Sequence, residues 1–165
     1  MLPVDLALRV NDSIAAFNLM DLRLRALREG INLDESKMTK RPEGFFQEDL
    51  FELWFLEQPS VLALFSGWDN DLMRCEVFKK LMKDTDHAVL LKLMHRNIVR
   101  CVCVGGHVRL LEEVIRLLDV KARDLNSLTP GWGWRSRSPP LWIAADNGNV
   151  DQVGSVFCQF ASLKS

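Results

Sequence analysis

Apolar residues recur along this chain at helical spacings of three and four, and no stretch keeps the period-two alternation of a strand. Over residues 4–29, Ile14, Phe17, Leu19, Leu22, Leu24 and Leu27 interleave with Arg23, Arg25 and Arg28, and no proline interrupts. This predicts two helices, divided by an N-cap at Asp12-Ser13 and closed by Gly30. Within residues 34–44, Glu35, Ser36, Lys37, Thr39, Lys40, Arg41, Pro42 and Glu43 are polar, charged or helix-breaking, which predicts an exposed loop. Residues 45–58 then set Phe46, Leu50, Phe51, Trp54 and Phe55 at helical spacing, an apolar helix that needs a partner face.

Pro59 starts a further helix to about Phe65, followed by a Gly67-Trp68-Asp69-Asn70 turn. Residues 73–83 and 88–103 lack glycine and proline, and residues 108–120 repeat the pattern with Leu110, Leu111, Val114, Ile115, Leu117 and Leu118. Each predicts a helix, so the expected fold class is all-α.

Internal similarity is the most informative feature. The segment Pro140-Leu141-Trp142-Ile143-Ala144-Ala145-Asp146-Asn147-Gly148-Asn149 has a proline where its missing N–H costs nothing, small alanines where helices approach, and a turn glycine. It resembles the ankyrin repeat, in which Thr-Pro-Leu-His-x-Ala-Ala opens an inner helix and a glycine turn leads to an outer one. Pro139 replaces the threonine of that pattern and Trp142 the histidine.

A second copy reads Gly106-His107-Val108-Arg109-Leu110-Leu111, with Gly106 42 positions before Gly148 (148 minus 106). A standard repeat is about 33 residues. The excess is expected in an outer helix extended to the Asp124-Leu125-Asn126 segment and in a long finger loop over residues 127–138. Two fainter copies are expected. One is the Pro59, Ala63, Gly67 series, at the offsets of Pro140, Ala144 and Gly148, and the other spans Ile14-Ala15-Ala16 to Gly30-Ile31-Asn32. The resemblance implies a short stack of divergent ankyrin-like helix-turn-helix repeats over residues 59–165. Residues 1–58 would be a divergent N-terminal part of the same helical domain.

Charge and cysteine usage narrow the partners. With 21 Lys+Arg against 22 Asp+Glu the net charge is -1, so no broad basic face for nucleic acid or an anionic membrane is expected. No run approaches the roughly 18 to 20 apolar residues of a membrane span, and no basic-then-apolar leader opens the sequence. Cys75, Cys101, Cys103 and Cys158 sit among apolar neighbours without framework spacing, which reads as free buried thiols in the cytosol or nucleus.

His95, Cys101, Cys103 and His107 are the one metal-like group, but Cys101-Val102-Cys103 is too tight for a zinc pair. Their simpler reading is inner-helix packing for the cysteines and a turn role for His107. Gly105-Gly106 is followed by His107-Val108 and lacks the lysine of a phosphate loop. No cofactor, no metal and no catalysis are expected. Two tryptophans and two arginines, Trp132, Trp134, Arg135 and Arg137, concentrate interface-type residues in the finger loop. Arg135-Ser136-Arg137-Ser138-Pro139-Pro140 also fits the pattern taken by readers of phosphoserine.

The expected function is therefore protein binding through finger loops and the inner-helix face, with Trp132, Trp134, Arg135, Arg137 and Trp142 as contact residues. The alternative is a helical regulatory domain of another fold that binds through the apolar helix of residues 45–55.

Overall fold

The structure is a computed structural model that describes residues 3–29, 59–67, 69–126 and 139–162. Among these residues there are helices and no strand, as the apolar spacing predicts. In chain order they are α1 (Pro3–Arg9), α2 (Ser13–Glu29), α3 (Pro59–Ser66), α4 (Asp71–Met82), α5 (Thr85–Leu93), α6 (His95–Gly105), α7 (Val108–Leu117), α8 (Ala122–Asn126), α9 (Pro140–Asp146) and α10 (Val150–Ser162). The loop at 34–44, the apolar helix at 45–58 and the finger loop at 127–138 lie outside the described residues.

Four short turns join α1 to α2, α3 to α4, α6 to α7 and α9 to α10, and the eight helices fall into two files. The first members touch in succession, α1 on α3, α3 on α6 and α6 on α9. The second members do the same, α2 on α4, α4 on α7 and α7 on α10. Apolar side chains from both files make one core that includes Leu8, Met20, Leu64, Phe78, Val102, Leu110, Val114, Ala144 and Val156. Each large one contributes roughly 1.5–3 kcal/mol by leaving water. Phe65 of α3 meets Phe78 of α4 edge to face, with ring centroids 5.7 Å apart.

Each of the four turns contains one residue with left-handed backbone: Asn11 (φ 59°), Asn70 (φ 56°), Gly106 (φ 78°) and Gly148 (φ 74°). At Asn11, Gly106 and Gly148 such a residue ends the first helix of the pair by letting the next N–H groups reach back to its last carbonyls, whereas Asn70 is the N-cap of α4. The first and last turns close alike, since Asp12 N donates to Ala7 O at 2.9 Å and Asn149 N donates to Ala144 O at 2.8 Å. Gly67, although spaced from Pro59 as Gly148 is from Pro140, is not the left-handed residue of its turn. It is a glycine because a Cβ there would stand 2.2 Å from Arg74 Nη2.

Two expectations need correction. Residues 88–103 are not one helix: the chain breaks at Met94 (φ -104°), between α5 and α6. No glycine or proline causes the break. His95 Nδ1 instead donates to Lys92 O at 3.0 Å, capping the end of α5 with a side chain. Nor is the outer helix after Gly106 extended, because α7 stops at Leu117 and Asp119 takes a left-handed conformation (φ 53°). Val120 N then reaches Ile115 O at 3.0 Å, a Schellman closure. The Asp124-Leu125-Asn126 segment belongs to the separate helix α8, where Asp124 Oδ2 accepts from Lys121 N at 3.0 Å. Helix α8 packs on α6 and α9, while α5 packs on α2, α4 and α6.

Candidate partner-binding face

With Gly106 and Gly148 in register, Arg100 and Val104 of α6 correspond to Trp142 and Asp146 of the adjacent α9. Each pair of residues is four apart on its helix and so shares one face. Trp142 is 72% exposed and Val104 51%, while Asp146 is exposed and Arg100 half-buried. Partial burial lowers the Arg100 pKa from its usual value by desolvation. Aligning Asn11 with Gly106 adds Asp5 and Arg9 of α1 at the corresponding places, beside Leu6, which is 55% exposed. Helices α1, α6 and α9 of the first file therefore present mixed positions, an indole and aliphatic side chains bordered by both charge signs. Such a surface offers apolar area together with directed hydrogen bonding.

Of the contact residues expected from sequence, Trp142 is at this face and open to solvent. Trp132, Trp134, Arg135 and Arg137 lie outside the described residues, and so do the apolar positions Phe46, Leu50, Phe51, Trp54 and Phe55. The sequence reading overlooked Arg100, Val104 and Asp146, whose significance follows from the 42-residue register applied backward from Trp142.

The face is held in place by polar joints between successive turns. Asn70 Nδ2 donates to Leu8 O at 2.8 Å, His107 Nε2 donates to Gly67 O, and Asn149 Nδ2 donates to Cys103 O at 2.9 Å. Asp71, the first residue of α4, accepts from the backbone N–H groups of Arg109 and Leu110 at 3.2 and 3.0 Å, and so caps α7 from its neighbour. Fully buried Gln152 donates through Nε2 to Val102 O at 3.0 Å and His107 O at 2.9 Å. Along the second file, Lys79 Nζ stands 3.5 Å from Glu113 and Ser155 Oγ donates to Glu112 at 2.6 Å.

Arg74 fastens α3 to α4 from inside. Only 1% exposed, it donates through Nη1 to two carbonyls in the last turn of α3, Ala63 O at 2.5 Å, which also accepts from Gly67 N, and Leu64 O at 2.9 Å. Its Nη2 meets Asp69 Oδ1 at 2.5 Å. The hydrogen bond from Arg74 holds the Asp69 carboxyl below its ordinary pKa.

The metal-like group of the sequence is not a ligand set in the fold. His107 serves its turn, His95 caps α5 and lies 3.4 Å from Asp124, and burial pushes the Cys101 and Cys103 thiols up to about 12. Cys75 is pushed up to about 11 by the same cause, whereas Cys158 is exposed and Cys101 only half-buried, contrary to the reading of four buried thiols. Among the described residues, Asp21, Asp84 and His87 bring ligating-type atoms within 4.8 Å of one another. Buried His87 donates through Nε2 to Asp21 Oδ1 at 2.6 Å, nearer than the ~3 Å that two ligands keep around one zinc ion. Arg25 also stands 3.3 Å from the same Asp21 oxygen, and Asp84 Oδ1 caps α5 through Asp86 N and His87 N. The cluster clamps α5 onto α2.

No family model matches the chain, and no curated protein or solved structure matches it. Among the described residues, no helix is long and apolar enough to cross a membrane.

Proposed function

We propose that the four helix pairs are divergent ankyrin-like repeats and that the chain is a protein-binding scaffold. Its partner docks on the first file of helices around Trp142, Arg100 and Val104, extended by the finger loop that carries Trp132, Trp134, Arg135 and Arg137. The observation that carries the reading is the 72% exposure of Trp142 on a helix whose neighbours stack by a repeated joint. An indole so exposed gains most when a partner covers it. The joint itself supports the repeat reading, since Asn70, His107 and Asn149 each bond a carbonyl of the preceding pair. Helix α8 and residues 127–138 lie between the second copy and the last, where the spacing exceeds a standard repeat by about nine residues.

The test is quantitative partner capture by the full chain, by Trp142→Ala and by the Trp132→Ala, Trp134→Ala double variant, with circular dichroism to verify equal folding. A specific partner lost from Trp142→Ala supports docking on the first file, and one lost from the double variant supports the finger loop. Identical capture by all three chains contradicts the proposal.

A further inference from the structure

Asn147 is the one asparagine in the sequence followed by glycine, and the two residues form the turn between α9 and α10. Both are exposed. Gly148 adopts φ 74° and has no Cβ to shield its nitrogen, and open space lies where one would be. We propose that Asn147-Gly148 is a site of spontaneous backbone modification, at which the side-chain amide closes on the main chain and the last helix pair is loosened as a result.

The Gly148 nitrogen, on losing its proton to hydroxide, attacks Cγ of Asn147. A new N–C bond forms, the bond from Cγ to the side-chain nitrogen breaks, and that nitrogen takes a proton from water and leaves as ammonia. Water then adds to either carbonyl of the resulting succinimide. Opening at one leaves aspartate at position 147, and opening at the other leaves isoaspartate, whose main chain runs through Cβ. Other asparagines are placed differently. Asn97 is 1% exposed, Asn70 Nδ2 donates to Leu8 O and Asn11 Oδ1, and Asn149 Nδ2 donates to Cys103 O. Asn18 is exposed but precedes Leu19 within α2. What restrains Asn147 is its own turn, since Gly148 N donates to Ala145 O and Asn147 N to Ile143 O, both at 3.0 Å. Attack requires that turn to open, and α9 has seven residues, a length at which a helix end frays at little cost.

Isoaspartate adds one carbon to the main chain just ahead of Asn149, whose N donates to Ala144 O at 2.8 Å and whose Nδ2 makes the joint to Cys103 O. It also sets a carboxylate beside exposed Asp146 at the C-terminus of α9, against the helix dipole. Both changes draw Asn149 out of its joint. Neither the repeat register nor docking at Trp142 bears on this chemistry, which is tested on the folded full chain. Peptide mapping by mass spectrometry after incubation near neutral pH should find Asn147 converted ahead of Asn126 and every other asparagine, and faster as pH rises, with isoaspartate exceeding aspartate. Conversion that begins at another asparagine, or at Asn147 only in urea, overturns the site. In the isoaspartate form, separated by chromatography, amide hydrogen exchange in α9 and α10 should be faster by at least about tenfold. Asn147→Gln keeps an amide but enlarges the ring that must close, so that variant, incubated alike, should keep the exchange rates of the fresh chain. Unchanged exchange in the isoaspartate form overturns the loosening, and equal acceleration in incubated Asn147→Gln overturns it by tracing the change to other damage.

Discussion

Asn149 Nδ2 donates to the carbonyl of Cys103 at 2.9 Å, and the glycine opposite, Gly106, leaves the room it needs: a Cβ there would lie 2.9 Å from Asn149 Oδ1. One joint between helix pairs thus depends on a missing methyl in the earlier turn. Gly148 occupies the matching place in the last turn, and a Cβ on it would meet nothing within 4 Å.

The two glycines should therefore respond differently to alanine. Gly148→Ala is expected to cost only backbone strain, about 1–2 kcal/mol. Gly106→Ala should cost that plus about 0.5–1.5 kcal/mol for the disturbed hydrogen bond. Urea unfolding midpoints compare them directly, and equal losses would mean that the Asn149 joint contributes nothing.

Gly67 and Arg74 should be coupled. Gly67→Ala pushes a methyl into the guanidinium and is expected to destabilise by about 1–3 kcal/mol, the usual cost of overpacking. Arg74→Ala uncovers the carbonyls of Ala63 and Leu64 and the Asp69 carboxylate. In an Arg74→Ala background, Gly67→Ala should cost far less, so the double-mutant cycle should be strongly non-additive. Arg74→Lys should not restore stability, because an ammonium has three donors on one atom and cannot span the four acceptors of the guanidinium, the carbonyls of Ala63, Leu64 and Asp69 and the Asp69 carboxylate.

Acid should weaken the chain through Asp69. Its carboxyl pKa is lowered in the folded state, first by the hydrogen bond from Arg74, so its stabilisation is complete above the unfolded value near about 4. It is lost as pH falls through the lower folded value. The stability difference between the parent chain and Asp69→Asn should therefore be large at neutral pH and shrink below about pH 4. A difference that stays constant into that range would show that the carboxylate and Arg74 are not paired.

Thiol chemistry should separate the four cysteines by access. Cys158 is exposed and Cys101 half-buried, while burial raises Cys75 to about 11 and Cys101 and Cys103 to about 12. A thiol reagent at neutral pH should label Cys158 rapidly, Cys101 far more slowly, and Cys75 and Cys103 only on unfolding. Rapid reaction of Cys103 in the native chain would place its helix wrongly.

The helical class was legible because apolar spacing marks helix faces, and the turns at Gly106 and Gly148 were legible because glycine is the default left-handed residue. Asn11 ends α1 and Asn70 precedes α4 in the same left-handed conformation with a residue equally common in caps and loops, so only Asp12-Ser13 and the broad 67–70 turn were visible there. The break at Met94 leaves no trace in composition, since neither glycine nor proline stands there. Arg74 shows the same limit. An arginine reads as a solvated position, and only the fold shows the ends of α3 and the 67–70 turn converging on it. Of the candidate face, Trp142 was legible as a departure from the ankyrin-like pattern of residues 140–149. Arg100, Val104 and Asp146 became visible once α6 and α9 were neighbours.

The stacking of helix pairs is tested most directly by distance. Spin labels at the exposed positions Leu6 and Trp142, in a chain without its native cysteines, sit on the first and last helices of one file. Three helix-to-helix steps of about 10 Å each separate them in a stack, so pulsed electron resonance should find a distance near 30 Å. A distance below about 20 Å, as when α1 and α9 close onto each other in a bundle, would contradict the stack.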